Sequence, residues 1–152
     1  MAVVCNSSPL IALSQIGQLE LLHTLFQEVL IPPAVAKEAA GSLGAHPWIR
    51  VQPLAGPPLR ETTSASLGRG EREALNLAVD VKAKVLILDD EPARRIARQL
   101  GLPVMGTAGV LILAKERKLI PAVRPLLDAL LAERFFLSQE VYDLVLFRAE
   151  EL

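Results

Sequence analysis

Two short apolar runs separated by one helical stretch constrain this chain more than any other feature, because a helix between two such runs returns the chain for parallel pairing. The stretch is KVLILDDEPARRIARQLGLPVMGTAGVL, from Lys84 to Leu111. Val85 to Leu88 is apolar and bounded by charge, the pattern of a strand buried on both faces. Asp89 and Asp90 stand where that strand ends. Glu91-Pro92 then opens an amphipathic segment that stops at Leu100-Gly101, Pro being tolerated in a first helical turn and Gly marking a helix end. Leu102 to Met105 is the second apolar piece. Strand, helix and strand within about twenty-five residues form a βαβ unit, and such units bind ligands beyond the carboxyl ends of their strands. A site is therefore expected at Asp89 and Asp90.

The same alternation runs through the rest of the chain. Ala2 to Cys5 is a β-type run closed by Asn6-Ser7-Ser8-Pro9, with Ser8 the predicted N-cap of a helix and Pro9 its first residue. Leu19 to Phe26 predicts a short helix, Glu28 to Ile31 a strand, and Pro32-Pro33 a helix through Ala40 with Val35 and Glu38 on one face. His46 to Val51 reads as an edge strand and residues 53 to 70 as the most mobile stretch. Glu71 heads a helix at the top of its inward stripe, Ala74, Leu75, Ala78 and Val81 or Lys82. Thr107 is a predicted N-cap, a helix follows from Pro121 to Ala132, Phe135 to Leu137 reads as a late strand, and Ser138 caps the last helix. The expected architecture is a three-layer α/β domain over residues 1–152, a central and mainly parallel sheet flanked by helices.

With 152 residues, 51% of them hydrophobic, the chain is long enough to bury a full core without disulfide staples. Its single cysteine, Cys5, excludes an internal disulfide framework, and no apolar segment reaches the roughly 18 residues that span a bilayer. A soluble, cytoplasmic protein is expected. The net charge of −1 argues against a generally basic nucleic-acid surface, so any such site must be local or metal-assisted.

Asn6, Glu38, Glu71, Asp89 and Asp90 all fall after strands or at helix termini that the alternation brings to one edge. Carboxylates held close together raise one another's pKa unless a cation compensates. Oxygen donors with few histidines suit Mg²⁺ or Mn²⁺ better than zinc, and such ions serve phosphodiester hydrolysis. Each residue also has a plainer use: Asp90 as a helix cap, Glu71 at a helix dipole, Glu38 as surface charge, and Asn6 as a turn residue bonded to its own backbone. Arg94, Arg95 and Arg98, with Arg69 and Arg72, are positioned either for phosphates or for a solvated face paired to acids. Trp48 is isolated, and no aromatic platform for bases is evident.

VVCNSSPLIAL, IPPAVAKE, LGRGEREALNLA and LILDDEPARRIARQLGLPVMGTAGVL occur in that order. Together they resemble a PIN domain, specifically the prokaryotic subgroup related to VapC-like toxins, from residue 3 to about residue 120. The resemblance implies an α/β fold and an acidic pocket binding Mg²⁺ or Mn²⁺ for RNA cleavage. It places Asn6 at the usual first Asp, Glu38 and Glu71 at the next acids, and Asp90, or its neighbour Asp89, at the last. Glu38, Glu71 and Asp90 would then be catalytic, all five residues would meet the metal, and Ser7 or Ser8, with Thr107, would bring a hydroxyl near metal or phosphate; Arg94, on the helix after Asp90, is placed to contact substrate phosphate. Asn6 departs from the family pattern, since an amide coordinates through its oxygen without bringing charge.

A metal-dependent endoribonuclease of this kind implies an antitoxin partner and a homodimer. The competing reading is a catalytically weak PIN-like module that binds RNA or a protein. A receiver-type phosphoacceptor would carry its Asp pair after the first strand, and a dinucleotide binder would carry G-x-G-x-x-G after a strand, which this chain lacks. Beyond Pro121, core packing is the expected role of the Leu-rich helix and Phe135-Phe136, with a dimer surface as the other option.

Overall fold

In the computed structural model, which describes residues 1–152, the strands are β1 (Val3–Cys5), β2 (Val29–Ile31), β3 (Ile49–Val51), β4 (Val85–Ile87) and β5 (Val104–Met105). All neighbouring pairs are parallel, in the order β3-β2-β1-β4-β5. The helices are α1 (Ser7–Gln15), α2 (Glu20–Phe26), α3 (Pro33–Ala39), α4 (Arg69–Asp80), α5 (Glu91–Gln99), α6 (Thr107–Glu116), α7 (Arg124–Ala132) and α8 (Gln139–Arg148). The sequence thus folds as an α/β protein with a wholly parallel sheet. No helix is long and apolar enough to cross a membrane.

Strand alternation sorts the apolar side chains into two cores. Val3, Cys5, Val29, Ile31, Val85 and Ile87 point to one face, where they join Leu10 and Leu13 of α1, Leu111 of α6, Leu127 and Leu130 of α7, and Leu146 of α8. Val4, Leu30, Leu86 and Leu88 point to the other, against Leu75 and Leu77 of α4 and Ala93 and Ala97 of α5. The central strands are buried on both sides, as their unbroken apolar runs require.

Several boundaries depart from the sequence expectation, each for a local reason. Asn6 rather than Ser8 is the N-cap residue of α1, and Gly106 rather than Thr107 that of α6, because Ser7 and Thr107 already have helical backbone. Helix α4 starts at Arg69, two residues before Glu71, after the extended Gly68. Phe135 to Leu137 form no strand: they connect α7 to α8, with Phe135 and Leu137 packed on the core rather than paired to the sheet. The connector over 53 to 70 is strapped to α4: Leu59 N–H donates to Asn76 Oδ1 at 2.7 Å, Asn76 Nδ2 donates to Thr62 Oγ1 at 2.9 Å, and Ala55 N–H donates to Asp80 Oδ2 at 2.8 Å.

Helix ends follow one rule with unequal sequence signals. Gly17 and Gly101 close α1 and α5 at φ of 71° and 74°, while Lys82, Lys118, Arg134 and Glu150 make the same left-handed turn after α4, α6, α7 and α8. A side chain in that conformation costs on the order of 1 kcal/mol. Bonds from the following N–H back to the last turn offset it, such as Phe135 N–H to Leu130 O at 3.0 Å and Glu151 N–H to Leu146 O at 2.8 Å.

The turn at Glu150 aims Glu151 at the start of α7. Its Oε2 accepts from Val123 N–H at 2.7 Å and Lys115 Nζ at 3.0 Å, and its Oε1 accepts from Arg124 N–H at 3.0 Å. A carboxylate thus caps a helix N-terminus from a remote part of the chain. Burial alone would raise the pKa of Glu151, but the Val123 and Arg124 donors and Lys115 outweigh it and hold the carboxyl below its usual range. The stabilisation is therefore present above the ordinary Glu pKa and lost as pH falls through the depressed one. Glu151→Ala is expected to cost about 1–3 kcal/mol at neutral pH and much less in acid, read by urea denaturation at the two pH values.

A candidate active site at the switch point of the sheet

The chain fills the β2 and β3 side of β1 first and the β4 and β5 side afterwards, so strand order reverses between β1 and β4. Ligand crevices in open parallel sheets form at such a reversal. Cys5 pairs with Ile87 across it, and Asn6 N–H donates to Ile87 O at 3.0 Å. Asn6 and the pair Asp89 and Asp90 therefore emerge side by side.

Asn6 is 2% exposed, and its Oδ1 is buried without a hydrogen-bond partner. It occupies the N-cap position of α1, where Asn caps well, yet its side chain makes no capping bond and none to its own backbone. An unsatisfied buried acceptor costs about 1–3 kcal/mol. The orphaned oxygen lies at the end of β1, beside the end of β4 that carries Asp89 and Asp90.

Asp89 is held from behind. Thr107 donates its N–H to Oδ1 at 2.8 Å and its Oγ1 hydroxyl to Oδ2 at 2.6 Å, placing the carboxylate at the N-terminus of α6. Burial pushes the Asp89 pKa up, with the Thr107 bonds and the Arg94 guanidinium pulling against it. Arg94 is turned inward, donating from Nη1 to Leu88 O at 3.1 Å. A Cβ on Gly106 would stand 2.8 Å from Arg94 Nη1 and 2.9 Å from Asp89 Oδ1, so any side chain there would have to displace these two groups. Asp90 Oδ2 accepts from Ala93 N–H at 3.0 Å and caps α5.

The other carboxylates come from the opposite wall. Ser7 Oγ donates to Glu38 Oε1 at 2.8 Å, and the Glu38 carboxylate lies so close to Gly70 that an added Cβ would be 2.2 Å away. Glu71, the next residue, accepts at Oε1 from Gly68 N–H at 3.3 Å, one half of a capping box that glycine cannot reciprocate. Glu73 was not singled out by the sequence pattern. It accepts from Ala34 N–H at 2.9 Å and so ties the start of α3, the helix that carries Glu38, to α4.

Asn6, Ser7, Ser8, Glu71, Asp89, Asp90 and Arg94 line one open cleft of about 1070 Å³. Glu38 lies in an adjoining hollow with Lys37 and Arg69, reached through Ser7. Thr107 is fully buried behind Asp89, where its hydroxyl is committed. The same cleft is lined from the α7–α8 side by Arg134, Phe135, Phe136, Val141, Leu144 and Arg148. Core packing does not account for Phe136, which is 86% exposed.

An α/β protein with an acidic cleft at the sheet's switch point is the class that fold and site define. The chain belongs to the PIN domain family, whose model matches residues 2–151; PIN domains are typically nucleases. A solved PilT N-terminus domain protein from the hyperthermophilic archaeon Sulfolobus solfataricus P2 shares the fold, with a TM-score of 0.52 and 19% identity over 72% of this chain and 90% of that one. No curated protein sequence matches.

PIN domains generally use divalent metal ions. The donors here suit a hard cation in kind: every candidate is an oxygen, the orphaned Asn6 Oδ1 is among them, and His23 and His46 stand apart against Trp48. In this conformation no three Asp, Glu, His or Cys side chains are gathered as a metal site. Ser7, Gly68, Thr107 and Ala93 each hold one of the carboxylates instead.

Proposed function

We propose that this protein is a metal-dependent endoribonuclease of the VapC-like kind, hydrolysing RNA phosphodiesters with Mg²⁺ or Mn²⁺. The observation that carries the reading is the unpartnered Asn6 Oδ1, buried beside Asp89 and Asp90 at the switch point. Asn6, Glu71, Asp89 and Asp90, with Glu38 from the adjoining hollow, would hold the ion. When bound, it supplies a Lewis acid and a lowered pKa for water. The chain's own groups keep the carboxylates in place: Thr107 and the start of α6 orient Asp89, and Ser7 orients Glu38. Ser8, exposed on the cleft, is the hydroxyl free to meet a phosphate. A cytoplasmic location, a small antitoxin that covers the cleft and a homodimer belong to the same reading.

The second reading, a catalytically weak module that binds RNA or a protein, draws on the amide in place of a first carboxylate and on the ungathered acids. Mixed-sequence single-stranded RNA incubated with Mg²⁺, Mn²⁺ or EDTA separates the two. Cleavage is expected with metal only, and Asp90→Asn is expected to lose it at an unchanged melting temperature, because Asn caps a helix as well as Asp does. A folded wild-type chain that leaves RNA intact would transfer the function to the binding module.

A further inference from the structure

Phe136 has no structural task. Leu127 and Leu130 of α7 and Leu146 of α8 are fully buried in the core, while Phe136 stands 86% exposed on the cleft. The short connection that carries it is tied at both ends. Arg134, at φ 66°, turns the chain out of α7 through the Phe135 to Leu130 bond, and Ser138 Oγ accepts from Val141 N–H at 3.2 Å to start α8. The ring is thus presented by a fixed turn.

The cleft it lines also holds two arginines. Arg134 and Arg148 line the same cleft, and neither forms an ion pair, whereas Arg50, Arg69, Arg94, Arg98 and Lys115 all do. Two guanidiniums without ion pairs thus share the cleft with an exposed aromatic ring and with Asp89 and Asp90. Flat rings and basic groups along one groove match the alternating bases and phosphates of an unpaired strand.

We infer that this side of the cleft is a single-stranded nucleic-acid subsite in which Phe136 stacks a base and Arg134 and Arg148 hold the neighbouring phosphates. Only its alignment with a scissile bond rests on the nuclease reading; the binding does not. Stacking requires a base free of its duplex, so the subsite selects unpaired strands and tolerates any sequence.

The test is anisotropy binding of a fluorescent single-stranded RNA 12-mer to the full chain in EDTA, with 2-aminopurine substituted along a second 12-mer. Phe136→Leu keeps apolar area and removes the aromatic face; it is expected to weaken binding roughly 5- to 100-fold and to relieve the quenching of 2-aminopurine. Phe136→Trp is expected to retain both, and Arg134→Gln and Arg148→Gln each to lower the salt slope by about 0.7. Affinity within twofold of wild type for Phe136→Leu, equal binding of duplex RNA, or no binding by the folded wild type would overturn the inference. So would a shift from dimer to monomer in Phe136→Leu with RNA affinity unchanged, which would make this side of the cleft a self-association surface. Binding that depends on Phe136 without any metal-dependent cleavage would support the subsite and defeat the nuclease reading alone.

Discussion

Asp89→Asn is expected to reduce metal-dependent RNA cleavage by roughly a hundredfold or more and, at neutral pH, to raise the melting temperature. Both effects have one cause. Asp89 is a buried carboxylate whose charge is disfavoured by desolvation, a cost that Thr107 and Arg94 only partly offset. Asn keeps the bonds: its oxygen accepts from the Thr107 N–H, and its amide donates to the hydroxyl, which rotates to accept. Because the folded pKa is raised, the contribution of Asp89 to stability is fully present below the unfolded pKa and lost as pH rises through the folded one. The variant should therefore exceed wild type at neutral pH and match it more closely in acid. Urea denaturation at both pH values, with an RNA cleavage assay, reads the two effects; a variant that melts lower and still cleaves would reduce Asp89 to a structural anchor.

Asn6→Asp is the second large effect, with the opposite sign on stability. It places a further carboxylate at a position only 2% exposed, at the end of the strand next to the one that carries Asp89, where no donor waits to pair with it. A loss of about 3 kcal/mol is expected without metal, together with tighter Mn²⁺ binding. Saturating Mn²⁺ should then return much of the loss, since a ligand at a hundred times its Kd stabilises by about 2.7 kcal/mol. Thermal melts with and without Mn²⁺ decide the matter. Metal-independent melting of both wild type and variant would remove Asn6 from any metal site.

Much of the site was legible because it is local. Asp90 caps α5 as the Asp-Glu-Pro spacing implies, and Ser138 caps α8. Asn6 and Asp89 stand at strand ends because apolar runs stop there. The exposure of Phe136 was not legible: core packing was the expected role of the Phe135-Phe136 pair, and it is after the left-handed turn at Arg134 that Phe136 stands outside while Phe135 packs on the core. Arg94 likewise looks free in sequence, yet it is turned onto Leu88 and Asp89.

The sequence by itself determined the five strands and their alternation with helices, the parallel sheet and the strand ends that carry Asn6, Asp89 and Asp90, because periodicity and helix-end chemistry act over a few residues. Tertiary structure decided which partner each acid keeps. Glu73 reaches Ala34 across 39 residues, Glu151 reaches Val123 across 28, and Thr107 reaches Asp89 across 18. No local pattern encodes such pairs, since a carboxylate costs the same in the unfolded chain whichever helix end it will later meet. Burial then set what remained, leaving Asn6 Oδ1 unpartnered inside and Phe136 exposed on the cleft.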